Sequence, residues 1–381
     1  MQHLLDLTEE ALRAWLAERG LPKYRAAQIR HWLFQTQVRS FDEMTDLPKD
    51  VRTALAADFT FWSGRVVAHR TTDDGTEKLL IEWPDHQRIE CVLIREGDRR
   101  TICVSTQVGC AMGCVFCASG LDGVERNLTT GEIIEQMLLV TRVLDSTERL
   151  SHIVVMGMGE PLANVNALLP ALEAATDPKG LGISHRRITV STVGLPAAID
   201  RLTDTGVHYH LAVSLHAPND ALRNQLVPVN AKIGIDEVLA AADRYFEASG
   251  RRLTFEYVLL GGVNDRPSHA RELVALLDGR QPLLNVIPYN PVAGLPYKTP
   301  SRHDQDRFLD ILRHGGVNVQ VRARKGDRID AACGQLRRSH SDANNVELVA
   351  LESPGPSGPG TVGSGAVGSG AVGSGAKVEH A

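Results

Sequence analysis

No stretch of the 381 residues approaches the roughly 18 consecutive apolar residues that a membrane-spanning helix needs, so no membrane crossing is expected. The chain also lacks a surplus of positive charge: 41 Lys and Arg stand against 46 Asp and Glu, a formal net charge of −5. Coating of nucleic acid without sequence preference needs a dense field of cations, and this balance excludes it while leaving room for local basic patches. The N-terminal run MQHLLDLTEEALRAWLAERG carries acids and a helical apolar period where an export signal has a basic head and an apolar segment, so the cytoplasm is the expected compartment. Cysteine is scarce too. Six thiols with no export signal read as reduced groups that do chemistry or hold metal, because disulfides in reducing compartments are mostly transient or catalytic.

What is present suits one large α/β domain with smaller additions, since a domain commonly takes about 100–200 residues. Residues 1–64 read as a small helical module: Leu12, Trp15 and Leu16 fit one helix face, Ile29, Trp32 and Leu33 another, and Pro22 and Pro48 punctuate it. Residues 65–100 read as a β extension, with RVVAHR, EKLLIEW and RIECVLI placed around the Asp73-Asp74-Gly75 turn. From 101 to 345 strands alternate with helices. TICVST, HIVVMG, RITVST, YHLAVSLH, LTFEYVL and PLLNVIPY are each followed by a helical stretch, near 130–144, 165–175, 195–204, 235–248, 268–278 and 303–314, and VNVQVRA is a last strand. That alternation predicts parallel strands with right-handed crossovers, and six units predict a partial (β/α)6 barrel, because a closed one needs eight. Residues 346–381, with three copies of VGSGA, are predicted to be a flexible low-complexity tail.

The string CAMGCVFC carries the chemistry. Cys110, Cys114 and Cys117, separated by three and then two residues, fall on a loop leaving the strand TICVST. Such a loop can wrap three thiolates around one face of a [4Fe–4S] cluster and leave one iron open, since full protein ligation takes four cysteines. A zinc site is the alternative; a closed structural zinc takes four ligands, and the next histidine downstream is His152. Other polar residues fall at strand ends, where parallel sheets bind ligands: Gly159 and Glu160 in MGMGEP, Ser191 in RITVST, Ser214, Leu215 and His216 in YHLAVSLH, and Asn290 after VIPY. Each has a plainer reading, Ser191 as a helix cap and His216 as a satisfied buried histidine. Basic groups at Lys23, Arg25 and Arg30, at Arg186 and Arg187, and at Arg322, Arg324, Lys325 and Arg328 are either solvated faces or RNA contacts.

The C-x3-C-x2-C spacing, with Phe116 before the last cysteine, resembles the radical S-adenosylmethionine (SAM) superfamily. That resemblance implies SAM on the open iron and its reductive cleavage to a 5′-deoxyadenosyl radical. Over roughly residues 10 to 340 it narrows to the adenine methyltransferases of the RlmN and Cfr type, through Val104 to Gly109, MGMGEP, SLHAPND (Ser214 to Asp220), YNP (Tyr289 to Pro291) and DAACGQL (Asp330 to Leu336). By resemblance, Cys333 is the methyl-carrying cysteine, Cys103 its transient disulfide partner and Glu90 the proton acceptor. Cys91 matches no family role and reads as a small buried apolar residue. The chemistry agrees: an adenine ring carbon is a poor nucleophile and a thiolate a good one, so a cysteine takes the methyl first. The resemblance further implies 23S rRNA and tRNA as substrates, an electron donor such as flavodoxin or ferredoxin, and a monomer. Pro161 and the N-terminal module look like the C2 methylases, while TDPKGLGISHRRITVSTVG is also similar to the C8 branch. A radical SAM enzyme for a small molecule and a non-enzymatic metal-stabilised RNA-binding module are the remaining readings.

Overall fold

The structure, a computed structural model, describes residues 1–322, 326 and 329–337. The expected tail at 346–381 and the cations Arg324, Lys325 and Arg328 lie outside the described residues.

Thr8 opens the first helix, α1 (Glu9–Glu18), by accepting the Ala11 amide at 3.1 Å, which satisfies one of the amides a helix start leaves unpaired. Leu12, Trp15 and Leu16 form its buried face, as their spacing predicts. Helix α2 (Arg25–His31) runs on through a wider turn, Trp32–Thr36, and the two bury Ile29 and Leu33. Trp32 stays half-buried with its ring N–H donating to Asp46. Pro48 precedes α3 (Lys49–Asp58).

Ten strands then form one sheet. The first four, β1 (Arg65–Thr71), β2 (Glu77–Glu82), β3 (Arg88–Glu96) and β4 (Arg99–Cys103), make an antiparallel meander. β4 is also the first of seven parallel strands, followed by β5 (His152–Val155), β6 (Ile188–Thr192), β7 (His210–Ser214), β8 (Thr254–Leu259), β9 (Leu283–Pro288) and β10 (Asn318–Val321). Each crossover carries helix: α4 (Thr130–Thr141), α5 (Val165–Thr176), α6 (Pro196–Asp204), then α7 (Asp220–Leu226) with α8 (Ile235–Ser249), α9 (Pro267–Leu276) and α10 (Arg302–His314). The sheet order runs unbroken from β10 back to β1, and the two edges do not pair among the described residues, so the barrel is open as predicted. Buried Ile153, Val190, Leu211, Val213 and Phe255 fill the strands, which explains their apolar runs. Helix α7 was not foreseen. It is one of the shortest helices, is set by an Asn219 side chain that accepts the Leu222 amide at 2.9 Å, and starts at the last residue of the SLHAPND string.

The N-terminal module docks on α4 through a buried carboxylate. Glu135, fully buried, accepts from His3 Nε2 at 3.0 Å, from the Ser63 hydroxyl at 2.9 Å and from the Gly64 amide at 2.7 Å. His3 is able to donate there because its Nδ1 takes the Leu5 amide at 3.1 Å. Arg30 of α2 adds an ion pair to Asp177 at 2.8 Å, so this cation is committed to the fold. Replacing Glu135 with alanine strands several donors away from water and should cost about 3 kcal/mol or more of unfolding free energy. Urea denaturation measures this directly; a loss below about 1 kcal/mol would show that the module docks by apolar contact alone.

Candidate functional site

The C-terminal ends of β4 to β9 open onto one cavity. The three cysteines of the loop after β4 line it, and that loop is built tightly. Gly109 sits at φ +81° where a Cβ would lie 2.0 Å from the Gly123 carbonyl, and the Cys110 amide donates to that carbonyl at 2.9 Å. Strands Gln107–Gly109 and Val124–Asn127 clamp the loop from both sides. Val115 bonds to Leu226 at the end of α7, while Ala118 and Ser119 bond to the carbonyls of Gly334 and Leu336 at 2.7 and 2.8 Å. The cysteine loop and the Cys333 segment are therefore one hydrogen-bonded unit, although more than 200 residues separate them.

Burial pushes the Cys110 thiol up to about 12, and it pushes Cys114 and Cys117 up as well, with the neighbouring thiols adding to each shift. Three such thiols ionise together only when a cationic group is bound to them.

Across the cavity the MGMGEP turn packs against the exit of β4. A Cβ on Gly157 would meet the Val104 carbonyl at 2.6 Å, and one on Gly159, at φ +100°, would meet Gln107 at 2.6 Å. Glu160 is buried, with its two oxygens taking the Leu162 and Val193 amides at 3.0 and 2.9 Å. Burial holds its pKa up, and no cation pairs with it among the described residues. His216, at φ +60°, accepts the Val258 amide on Nδ1 at 3.0 Å and stacks edge-on to Phe116. Burial takes its pKa down to about 3, with Arg223 adding to the effect, so it is a neutral imidazole whose Nε2–H is left to donate. Ser191, Ser214 and Asn290 also line the cavity, and Asn290 Oδ1 and Glu256 Oε2 are buried acceptors without partners. Leu215 does not join them. Its side chain is fully buried in the core, its amide donates to the Glu256 carbonyl and its carbonyl accepts from Arg223.

Strand register sorts the remaining cysteines. Leu80 stands opposite Glu90 and Val92 opposite both Lys78 and Cys103, so Lys78, Glu90 and Cys103 share one face of the sheet. Cys91, between Glu90 and Val92, points to the other face and is fully buried, in keeping with its reading as a small core residue. Cys333 lines the cavity beside Cys103: burial raises the Cys103 thiol to about 12, the Cys333 thiol adds to this, and Arg322 opposes it. Both thiols are free. Glu90 pairs with Lys78 at 2.8 Å and accepts the Arg337 amide at 2.8 Å.

Sequence reading missed Lys78, Glu256 and the placement of Arg322. Glu256 is a lone charge inside the otherwise apolar strand LTFEYVL, and that contrast is the signal that marks it; Lys78 stands next to Glu77 at the start of EKLLIEW, where nothing local sets it apart from a surface lysine. Arg322, grouped with a surface patch by sequence, instead lies in the site, where it approaches Met156 Sδ at 3.7 Å and has its charge favoured chiefly by Cys333 and by Glu256. Arg186 and Arg187 precede β6 at its N-terminal end, away from the cavity mouth.

Parallel strands around a mouth that carries three cysteines on the loop after the first of them define a radical SAM enzyme. Residues 104–274 match the Radical SAM superfamily, and residues 2–60 match the family described as Ribosomal RNA large subunit methyltransferase N-terminal domain. A Rhodopirellula baltica protein named "Probable dual-specificity RNA methyltransferase RlmN" is 61% identical over 340 residues, 89% of this chain and 92% of that one. An Enterococcus faecalis protein of the same name is 42% identical over 91% of this chain and 99% of its own. The solved structure of a radical SAM methyltransferase from Sphaerobacter thermophilus matches with a TM-score of 0.86 at 46% identity, over 89% of this chain and 100% of that one. The chain belongs to the RlmN family of radical SAM RNA methyltransferases. Membership implies a [4Fe–4S] cluster and SAM as cofactors.

Proposed function

We infer that the chain methylates C2 of adenine in RNA through a methyl-cysteine intermediate on Cys333, with 23S rRNA and tRNA as substrates and a flavodoxin- or ferredoxin-type protein as electron donor. One observation carries this reading: two thiols and a buried carboxylate from outside the cysteine loop, Cys103, Cys333 and Glu90, are gathered next to the cavity that Cys110, Cys114 and Cys117 line. A radical SAM enzyme acting on a small molecule by direct hydrogen abstraction has no use for that second thiol pair.

The residues present suit the cofactors. Cys110, Cys114 and Cys117 would each give one bond to the cluster. Glu160, a buried carboxylate bonded only to neutral donors, suits the ammonium of SAM, and Gly159 lets the backbone come close. Ser191, Ser214, His216 and the unpartnered Asn290 oxygen supply further polar contacts. When bound, cluster and SAM supply the methyl group and the radical that removes a hydrogen atom from it.

The remaining work falls to the chain. Cys333 takes the methyl on sulfur, with the Arg322 guanidinium facing it, whereas burial keeps Cys103 protonated. Once activated, the sulfur-bound carbon bonds to the ring carbon, Glu90 receives the ring proton, and the electron left on the ring would pass to the cluster. Cys103 then attacks the Cys333 sulfur: a disulfide forms, the bond from sulfur to the RNA methylene breaks, and that carbon gains a proton to become the methyl. The adenine must first leave its stack, at a cost of a few kcal/mol. The N-terminal module, with Lys23 and Arg25, is our assignment for holding the RNA meanwhile. Mass spectrometry of nucleosides from RNA methylated by the enzyme should show 2-methyladenosine. An 8-methyl product would assign the chain to the C8 chemistry instead.

A further inference from the structure

Lys78 has no part in the steps above, yet it is buried at 6% exposure on the strand Glu77–Glu82. Its ammonium makes two contacts, with Glu90 Oε1 at 2.8 Å and with the Asp330 carbonyl at 3.1 Å. The other Glu90 oxygen takes the Arg337 amide at 2.8 Å. Asp330 and Arg337 flank Cys333, three residues before it and four after, so the Lys78–Glu90 pair grips the segment that carries the methyl-bearing thiol at both ends. A lysine is seldom placed in such a site without a partner that needs its charge, because desolvating an ammonium is costly.

We propose that Lys78 is a positioning residue that keeps the buried Glu90 ionised and holds its carboxylate against the Cys333 segment. The proposal rests on Glu90 being the acceptor of the ring proton. Only a carboxylate is able to accept that proton, and it becomes the neutral acid. Burial is the largest influence on Glu90 and raises its pKa, and the attraction of Lys78 is the largest that opposes it. The other groups facing Glu90 are Arg70 on β1, which lowers its pKa from farther off, the protonated Cys103 thiol on β4 and the Arg337 amide; Cys91, its neighbour in sequence, is on the opposite face. Taking away the Lys78 charge therefore raises the Glu90 pKa further. RNA methylation, which needs the ionised form, is lost as pH falls through that pKa, so the acid limb of its pH profile moves to higher pH.

The test uses the full-length holoenzyme with a tRNA substrate. Lys78→Gln retains a donor for the Asp330 carbonyl and loses the charge; Lys78→Arg keeps the charge. In Lys78→Gln the acid limb of RNA methylation should rise by about one pH unit or more, which is roughly tenfold in rate at any pH below it, and Lys78→Arg should bring the limb back towards wild type. Methylation of Cys333 itself, read by intact-protein mass and needing no ring proton acceptor, should show no such shift. An acid limb in Lys78→Gln at the wild-type position would overturn the proposal, and so would equal losses of Cys333 methylation and RNA methylation at every pH, the signature of a purely structural role. Glu90→Gln separates the two ideas: if it still methylates RNA, Glu90 is not the acceptor, whereas an inactive Glu90→Gln beside an unshifted Lys78→Gln removes Lys78 alone.

Discussion

Purified anaerobically, the Cys114→Ala protein should be colourless, nearly free of iron and unable to cleave SAM, against a brown parent with about four irons per chain. The same should hold for Cys110→Ala and Cys117→Ala. The reason is geometric. Each thiol would hold its own iron from a loop fixed at Gly109, Val115 and Ala118, and no other cysteine is on that loop to replace it. Two thiolates leave a second iron without a protein ligand, so the cluster is lost along with the single open site that SAM requires. The fold should survive, because Cys114 and Cys117 pack against a small apolar cluster with Phe116, Leu226 and Tyr289, apart from the main core, and Cys110 belongs to neither, so far-UV circular dichroism should match the parent. Full SAM cleavage in any of the three variants would remove the cluster assignment. A parent protein that carries one zinc and no iron would favour the metal-stabilised binding module instead.

The second large effect separates the two outlying thiols by where the reaction halts. Cys333→Ala has no sulfur to accept the first methyl, so neither methylated protein nor methylated RNA should form, while iron content stays at the parental level. In Cys103→Ala methyl transfer to Cys333 and its bonding to the ring carbon still proceed. The thioether that joins protein to RNA then lacks the thiol that opens it, and water is a much weaker nucleophile than a thiolate. Turnover should stop after one round, with a slower-migrating protein–RNA adduct that nuclease trims. Combining Cys103→Ala with Cys333→Ala should abolish that adduct. Normal turnover by Cys103→Ala, or an adduct that persists without Cys333, would mean that the thiols are assigned to the wrong roles.

Much of this site is legible in the sequence because it sits where periodicity changes. Glu160, Ser191, Ser214 and Asn290 each follow a run of strand-forming residues, and the ends of parallel strands meet at one mouth whatever the loops between them do. The same rule put Leu215 beside them, whereas its side chain lies in the core. Alternation along a strand continues past its last hydrogen bond, so the residue after Ser214 turns into the core and its peptide is spent on Glu256 and Arg223. Arg322 shows the opposite failure: it stands next to other cations in sequence, but the end of β10 carries it into the site.

Spacing within one loop fixed the three-cysteine cradle, since neighbours in the chain remain neighbours in space and backbone reach limits what they can bind. Alternation of strand and helix fixed the open parallel barrel, because amphipathic elements of that length bury their apolar faces only in that layering. The pairing of distant groups was left to the tertiary structure. Whether Cys91 or Glu90 faces the site beside Cys103 turns on the register of β3 against β4, in which a slip of one residue would bring in Cys91 and carry Glu90 away. The Lys78–Glu90 grip on the Cys333 segment likewise exists only after β2, β3 and residues 330–337 have packed together, since a contact spanning 252 residues leaves no trace in local pattern.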